Sequence, residues 1–212
     1  MENPLKPILT TIIADPDLHA KWLNTLSLME NTGARKIARF EDERYVTDII
    51  LKHAAEEFRH AYFLKRQLNK IVPGGFPNYT PDNLLVPVAS RHYLHQLDLL
   101  ICRYLKENTA LTGYDYRFAA YLLTTYAIEV RADYIYPIYQ DLLLGVNSPV
   151  SVRSIIAEEA GHLEAMQKMM DDSLDNWEVH TKAVVQLETA IFDKWVKQLG
   201  QVIEATPELT SA

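Results

Sequence analysis

Ala55-Glu56-Glu57-Phe58-Arg59-His60 and Ala157-Glu158-Glu159-Ala160-Gly161-His162 decide the fold. Each contains Glu-x-x-His. Three residues of a helix advance about 300°, so the Glu and His of each motif share one face, a turn apart, and can grip one cation together. One such motif is weak evidence. Here Glu57 to Glu159 and His60 to His162 are each 102 residues apart, which makes a repeat. A further carboxylate precedes each motif: Glu30 lies 27 residues before Glu57, and Glu129 lies 30 before Glu159. At ~1.5 Å per residue, the climb from Glu30 to a turn near Glu43 matches the descent to Glu57, so the two carboxylates end at one depth. The second pair straddles Leu144 in the same way.

Glu30 and Glu129 also sit on apolar helical stripes: Leu23, Leu26, Glu30, Gly33, Ile37 and Leu122, Tyr126, Glu129, Asp133, Tyr136. A core-facing glutamate is costly unless paired or bound to metal. Four in one bundle repel each other, and two cations remove that problem. A Glu from each of two helices plus Glu-x-x-His from each of two others is the ligand pattern of di-iron and di-manganese carboxylate bundles. The candidate metal ligands are therefore Glu30, Glu57, His60, Glu129, Glu159 and His162.

Apolar residues elsewhere recur at three- and four-residue spacing and strand-like alternation is rare, so the chain reads as all-α. Helices are expected at about 17–42, 45–71, 90–108, 115–143, 150–170 and 175–203. Pro16 opens the first, and a polar turn at Glu41-Asp42-Glu43-Arg44 ends it. Pro73, Gly74, Gly75, Pro77, Pro81 and Pro87 make a long irregular crossover. Pro137 should kink the fourth helix. Ser148 and Pro149 read as N-cap and first position of the fifth. The tail 206–212 is expected to fray. The whole is one helical domain, 1–212, with a metal-binding bundle at about 17–170 and a C-terminal helix at about 175–203.

Hydrophobic residues make up 48% and charged residues 23%, with a net charge of -7, as in soluble globular proteins; an acidic chain is a poor general partner for nucleic acid. Cys102 is the single cysteine, which excludes an intrachain disulfide and any cysteine-built zinc or iron–sulfur site; it reads as a small buried hydrophobe. The N-terminal residues do not read as a secretory signal and no apolar run reaches a membrane span, so a cytoplasmic location is expected.

On its six ligand positions, over about 17–170, the chain resembles the ferritin-like superfamily, which includes bacterioferritin, rubrerythrin, the tRNA hydroxylase branch and the cyanobacterial aldehyde-deformylating oxygenases. The resemblance implies a ferritin-like four-helix bundle with a long crossover and additional helices. It implies two iron ions chelated or bridged by Glu57 and Glu159, with Glu30 and Glu129 as terminal carboxylates and one imidazole, His60 or His162, per metal. Manganese or a mixed pair also suits these donors. One cysteine excludes a rubredoxin module, and the extra helices look more like the oxygenase branch than a storage shell.

Around the ligands, Asp133 is the candidate to orient an imidazole, with an ordinary exposed aspartate as its alternative. His53, one turn before Glu57, reads as a possible ligand or hydrogen-bond partner, or as a core histidine. Tyr126, one turn before Glu129, reads as a redox or proton donor, or as core. Glu56 and Glu158 point about 100° from the ligands and read as a solvated face, with contacts to partners of the ligands as the alternative. Met166, Met169, Trp177 and Trp195 read as packing, and Glu188 lies outside the repeat.

Three functions compete at this level. The first is an oxygen-activating di-iron oxidoreductase, which a closed apolar cavity beside the metals would favour. The second is a ferroxidase, iron-handling or peroxide-scavenging protein, which needs an iron route or a hollow oligomer. The third is a metal-free helical interaction protein. The partners expected are O2 with a small-molecule substrate or an electron-donor protein, with homodimerisation left open.

Overall fold

Asp15-Pro16 is a helix start written in two residues. Asp15 Oδ1 accepts the Leu18 N–H at 2.9 Å, and Pro16, lacking an N–H to orphan, takes the first helical position. In a computed structural model describing residues 4–40 and 46–205, the chain forms α1 (Leu5–Ala14), α2 (Pro16–Ala38), α3 (Asp48–Leu68), α4 (Pro87–Asn108), α5 (Gly113–Gly145), α6 (Arg153–Ser173) and α7 (Trp177–Ala205). A 3₁₀ turn, Pro81–Asn83, interrupts the crossover, and no strand occurs among the described residues. The turn expected at Glu41 to Arg44 and the fraying expected at 206–212 lie outside the described residues. No helix among the described residues is long and apolar enough to cross a membrane.

The helix missing from the sequence reading is α1. Leu5, Leu9 and Ile12 stand at i, i+4 and i+7 and are fully buried, packing α1 against α2, α5 and α7. α2 pairs with α3 and α5 with α6 as two hairpins, joined by α3–α6 and α2–α5 contacts. α4 and α7 pack on each other and close over α5. The result is an all-α bundle in which each Glu-x-x-His helix lies beside the helix carrying its upstream glutamate.

Three polar residues buried on α2 tie down the crossover. Asn24 donates to the Asn78 and Asn83 carbonyls at 3.0 and 2.8 Å, Thr25 accepts the Leu85 N–H at 2.9 Å, and Ser27 lies 2.9 Å from the Tyr79 hydroxyl. Gly75 turns the chain at φ +34°, where a Cβ would fall 2.5 Å from Leu68.

α5 runs through Pro137 as one helix. Ser148 is not the N-cap of α6, which starts at Arg153. Gln140 Oε1 instead accepts the Val152 N–H at 2.8 Å and Gln67 Oε1 the Ser151 N–H at 3.1 Å, so α5 and α3 fix the approach to α6.

Candidate metal centre

The four bundle helices bring seven acid and imidazole side chains together in the core. His53, Glu57, Glu129 and His162 form one group, and Glu30, Glu57, His60 and Glu159 another. Within each group one donor atom per residue lies within 4.8 Å of the others, and Glu57 belongs to both. All are buried except Glu30, which is partly exposed. These groups could hold metal ions. The six residues of the sequence pattern converge there, and His53, on the same face of α3, joins them with its Nε2 3.0 Å from Glu129 Oε1.

The imidazoles are held in one orientation by the other motif's glutamate. His60 Nε2 lies 2.8 Å from Glu158 Oε2, and His162 Nε2 lies 3.0 Å from Glu56 Oε2. A carboxylate accepts, so each Nε2 donates and each Nδ1 is turned toward the cluster. Lys52, 2.9 Å from Glu56, and Arg59, 2.5 Å from Glu158, hold the orienting carboxylates from outside. Both orienting pKa values fall below the usual range: against burial, Lys52 and His162 favour the Glu56 carboxylate, and Arg59 and His60 favour that of Glu158. The expected solvated face is therefore corrected. The doublet Glu-Glu, repeated in both motifs, was the signal for it.

Asp133 and Tyr126 do not take the parts assigned to them. Asp133 is exposed and Tyr126 half-buried, and neither hydrogen-bonds the cluster. Around α5 they lie roughly 40° and 60° to one side of Glu129, whereas Tyr136 lies about 20° to the other. Tyr136 is buried, and its hydroxyl donates to Glu30 Oε1.

Four buried polar atoms of the cluster make no hydrogen bond: Glu57 Oε1, Glu159 Oε2, His60 Nδ1 and His162 Nδ1. They nonetheless crowd each other. His60 Nδ1 stands 3.2 Å from Glu159 Oε1, and His162 Nδ1 stands 3.2 Å from Glu57 Oε1 and 3.3 Å from Glu159 Oε2. Buried orphans are expensive, and donors that surround a shared point without aiming hydrogen bonds at each other suit cations. The residues therefore fit a metal pair. The two oxygens of Glu159 face one histidine each.

Comparison with protein-family models, with curated proteins and with solved structures returns no match. The site is thus read from its own atoms.

With no cation among them, the side chains balance charge with protons. Burial and the neighbouring Glu57 and Glu159 charges hold Glu30 well above the usual carboxylate range; burial and Glu129 push Glu159 up to about 7. Their partners move down. Against burial, the histidines hold Glu57 well below its ordinary value, and Glu159, His162 and His53 beside it bring Glu129 to about 2. Burial disfavours imidazolium, yet the carboxylates outweigh it, raising His53 to about 9 and His60 to about 11, with His162 raised as well.

A largely apolar cavity abuts the cluster. Glu30, Glu57, Glu129 and Glu159 line it, together with Met29, Ile37, Ile128, Phe192 and Trp195. Its volume is about 80 Å³.

Proposed function

We propose that the chain is a di-iron carboxylate oxidoreductase of ferritin-like type, an oxygenase acting on a small organic substrate. Glu30, Glu57, His60, Glu129, Glu159 and His162 would hold the metals. The observation that carries the reading is the apolar cavity opening on all four carboxylates. A site for iron alone has no need of an apolar wall at its ligands, whereas an organic substrate does. Two iron ions bound there would supply electrons to O2 and the oxidising power for the substrate.

The protein's own parts follow from the geometry. Glu56 and Glu158 fix the imidazole tautomers. Apolar walls exclude water from the reacting end of the cavity. The Tyr136 hydroxyl donates a hydrogen bond to Glu30 Oε1 at the cavity wall, so a proton can be held where a substrate would meet the cluster.

The test is elemental analysis of purified protein, followed by anaerobic loading with ferrous iron and exposure to O2. The reading predicts two metal ions per chain and O2 uptake with a new visible absorption band. Fewer than one ion per chain after loading would overturn the metal site. Ferrous iron oxidised continuously into a growing ferric core would replace the oxygenase by a storage function.

A further inference from the structure

His53 has no counterpart in the repeat. On α3 it shares one face with Glu57 and His60, four and seven residues on. On α6, where Glu57 and His60 are answered by Glu159 and His162, the matching position is Ile155, fully buried in the core. A symmetric pair of half-sites would give each metal position one imidazole. Here one group, His53, Glu57, Glu129 and His162, holds two imidazoles and two carboxylates, and the other, Glu30, Glu57, His60 and Glu159, holds one imidazole and three carboxylates.

The donor atoms of the first group have the spacing of a coordination shell. Metal bonds of about 2.0–2.2 Å to imidazole and carboxylate put neighbouring donors roughly 2.8–3.6 Å apart at octahedral or tetrahedral angles. His53 Nε2 lies 3.0 Å from Glu129 Oε1 and 3.5 Å from Glu57 Oε1, and His162 Nδ1 lies 3.2 Å from Glu57 Oε1 and 3.4 Å from Glu129 Oε2. The His53 and His162 rings are both buried, 4.1 Å apart between centroids. A core histidine satisfied by one carboxylate has no reason to stand between two, from α3 and α5, with a second imidazole against its face. Glu57 Oε1 and His162 Nδ1, two of the four donors, are buried and make no hydrogen bond. His53 Nε2 and Glu129 share a hydrogen bond in the metal-free chain, and a cation would take the place of its proton, since binding needs the neutral imidazole.

We propose that His53 is a seventh ligand, binding through Nε2, and that the centre is therefore unsymmetrical: a nitrogen-rich position made by His53, His162, Glu57 and Glu129 beside an oxygen-rich one made by Glu30, Glu57, Glu159 and His60. This rests on the metal reading above and adds to it a ligand and a selectivity. Imidazole suits zinc, iron, nickel and cobalt, whereas carboxylate suits manganese, so the two positions differ in the ion they favour.

The test is proton NMR of the full-length protein loaded with cobalt(II) and dialysed free of loosely held ion. Each ligating imidazole contributes one N–H resonance, shifted far outside the ordinary range by the metal and lost in D2O. Wild-type protein should retain two cobalt ions per chain and show three such resonances. His53→Gln keeps an N–H to donate to Glu129 but not the imidazole. It should show two resonances, and its cobalt affinity should fall by about tenfold or more in competition with a chelator, with a smaller fall for manganese. Circular dichroism of the metal-free variant checks its folding, and the wild-type count stands without the variant. Two resonances in wild-type protein that retains both ions, or unchanged cobalt affinity in folded His53→Gln, would overturn the seventh ligand, leave His53 as the hydrogen-bond partner of Glu129 and spare the six-ligand centre. Retention of less than one cobalt ion per chain would overturn the metal centre itself, and this proposal with it.

Discussion

Glu56 and Glu158 show how one residue's role depends on a partner far away in the chain. Each precedes a ligand in its own motif and points away from it, yet each reaches the histidine of the other motif. Loss of such an orienting carboxylate leaves the ligand present but free to rotate, which typically costs 10- to 100-fold in metal affinity. Glu56→Ala and Glu158→Ala should therefore weaken metal binding by roughly that factor, measured by competition with a chromogenic chelator; unchanged affinity would remove their orienting role. The ligands themselves should matter more. His60→Ala and Glu159→Ala should each sharply lower metal content, whereas Glu164→Ala, on the exposed side of α6, should leave it intact. Equal metal content in all three, read by elemental analysis, would sink the ligand assignment.

Single helices carry tension between stability and site. Gly33 in α2 weakens the helix relative to alanine, and open space surrounds its missing Cβ. Gly33→Ala should raise stability by about 0.5–1 kcal/mol, seen as a higher Tm, because it removes backbone freedom without a clash. A lower Tm would mean that the space is needed by the fold and not by a ligand. α5 and α7 meet through a buried ion pair that the sequence did not mark. Glu188 is 1% exposed, receives Arg131 at 2.9 and 2.6 Å, and accepts the Tyr93 hydroxyl. Removing one partner of a buried pair strands the other. Glu188→Ala should accordingly destabilise the fold by roughly 3–5 kcal/mol, by chemical denaturation, without changing metal stoichiometry in the protein that folds.

The whole molecule feels the site through its protons. In metal-free protein His53 and His60 titrate at about 9 and 11, against 6.5 for the free imidazole. Their raised values mean that the folded chain binds more protons than the unfolded one. This stability is complete below about pH 6.5 and fades as pH rises toward the folded values. Glu159, raised to about 7, loses its contribution between pH 4.5 and 7. Glu57 and Glu129, lowered, keep theirs throughout and lose it only in acid. Metal binding moves oppositely, because it needs deprotonated ligands. Chelator treatment should thus lower the Tm more at pH 8 than at pH 6, the metal-free protein itself losing stability over that interval. A Tm gap between metal-loaded and metal-free protein that shrinks from pH 6 to 8 would contradict a buried carboxylate and imidazole cluster.

Periodicity alone determined that this chain is helical, and the repeated spacing of Glu30, Glu57, His60 with Glu129, Glu159, His162 determined which six residues to look for, because helical rise and rotation turn sequence separation into depth and face. α1 is written in the same way, in Leu5, Leu9 and Ile12, but in one short helix whose partners lie far along the chain. What α2 meets beyond α3 could not be read from one helix. Whether a residue about 40° off a ligand's direction faces core or water depends on the neighbouring helix, and this placed Asp133 outside and Tyr136 on Glu30. The crossed clamp of Glu56 on His162 and Glu158 on His60 exists only once α3 and α6 lie side by side. The apolar cavity is likewise a property of the gap between the helices that line it. Side-chain spacing within a helix is local and written in the chain, whereas a cavity is the space that several helices, packed for other reasons, decline to fill.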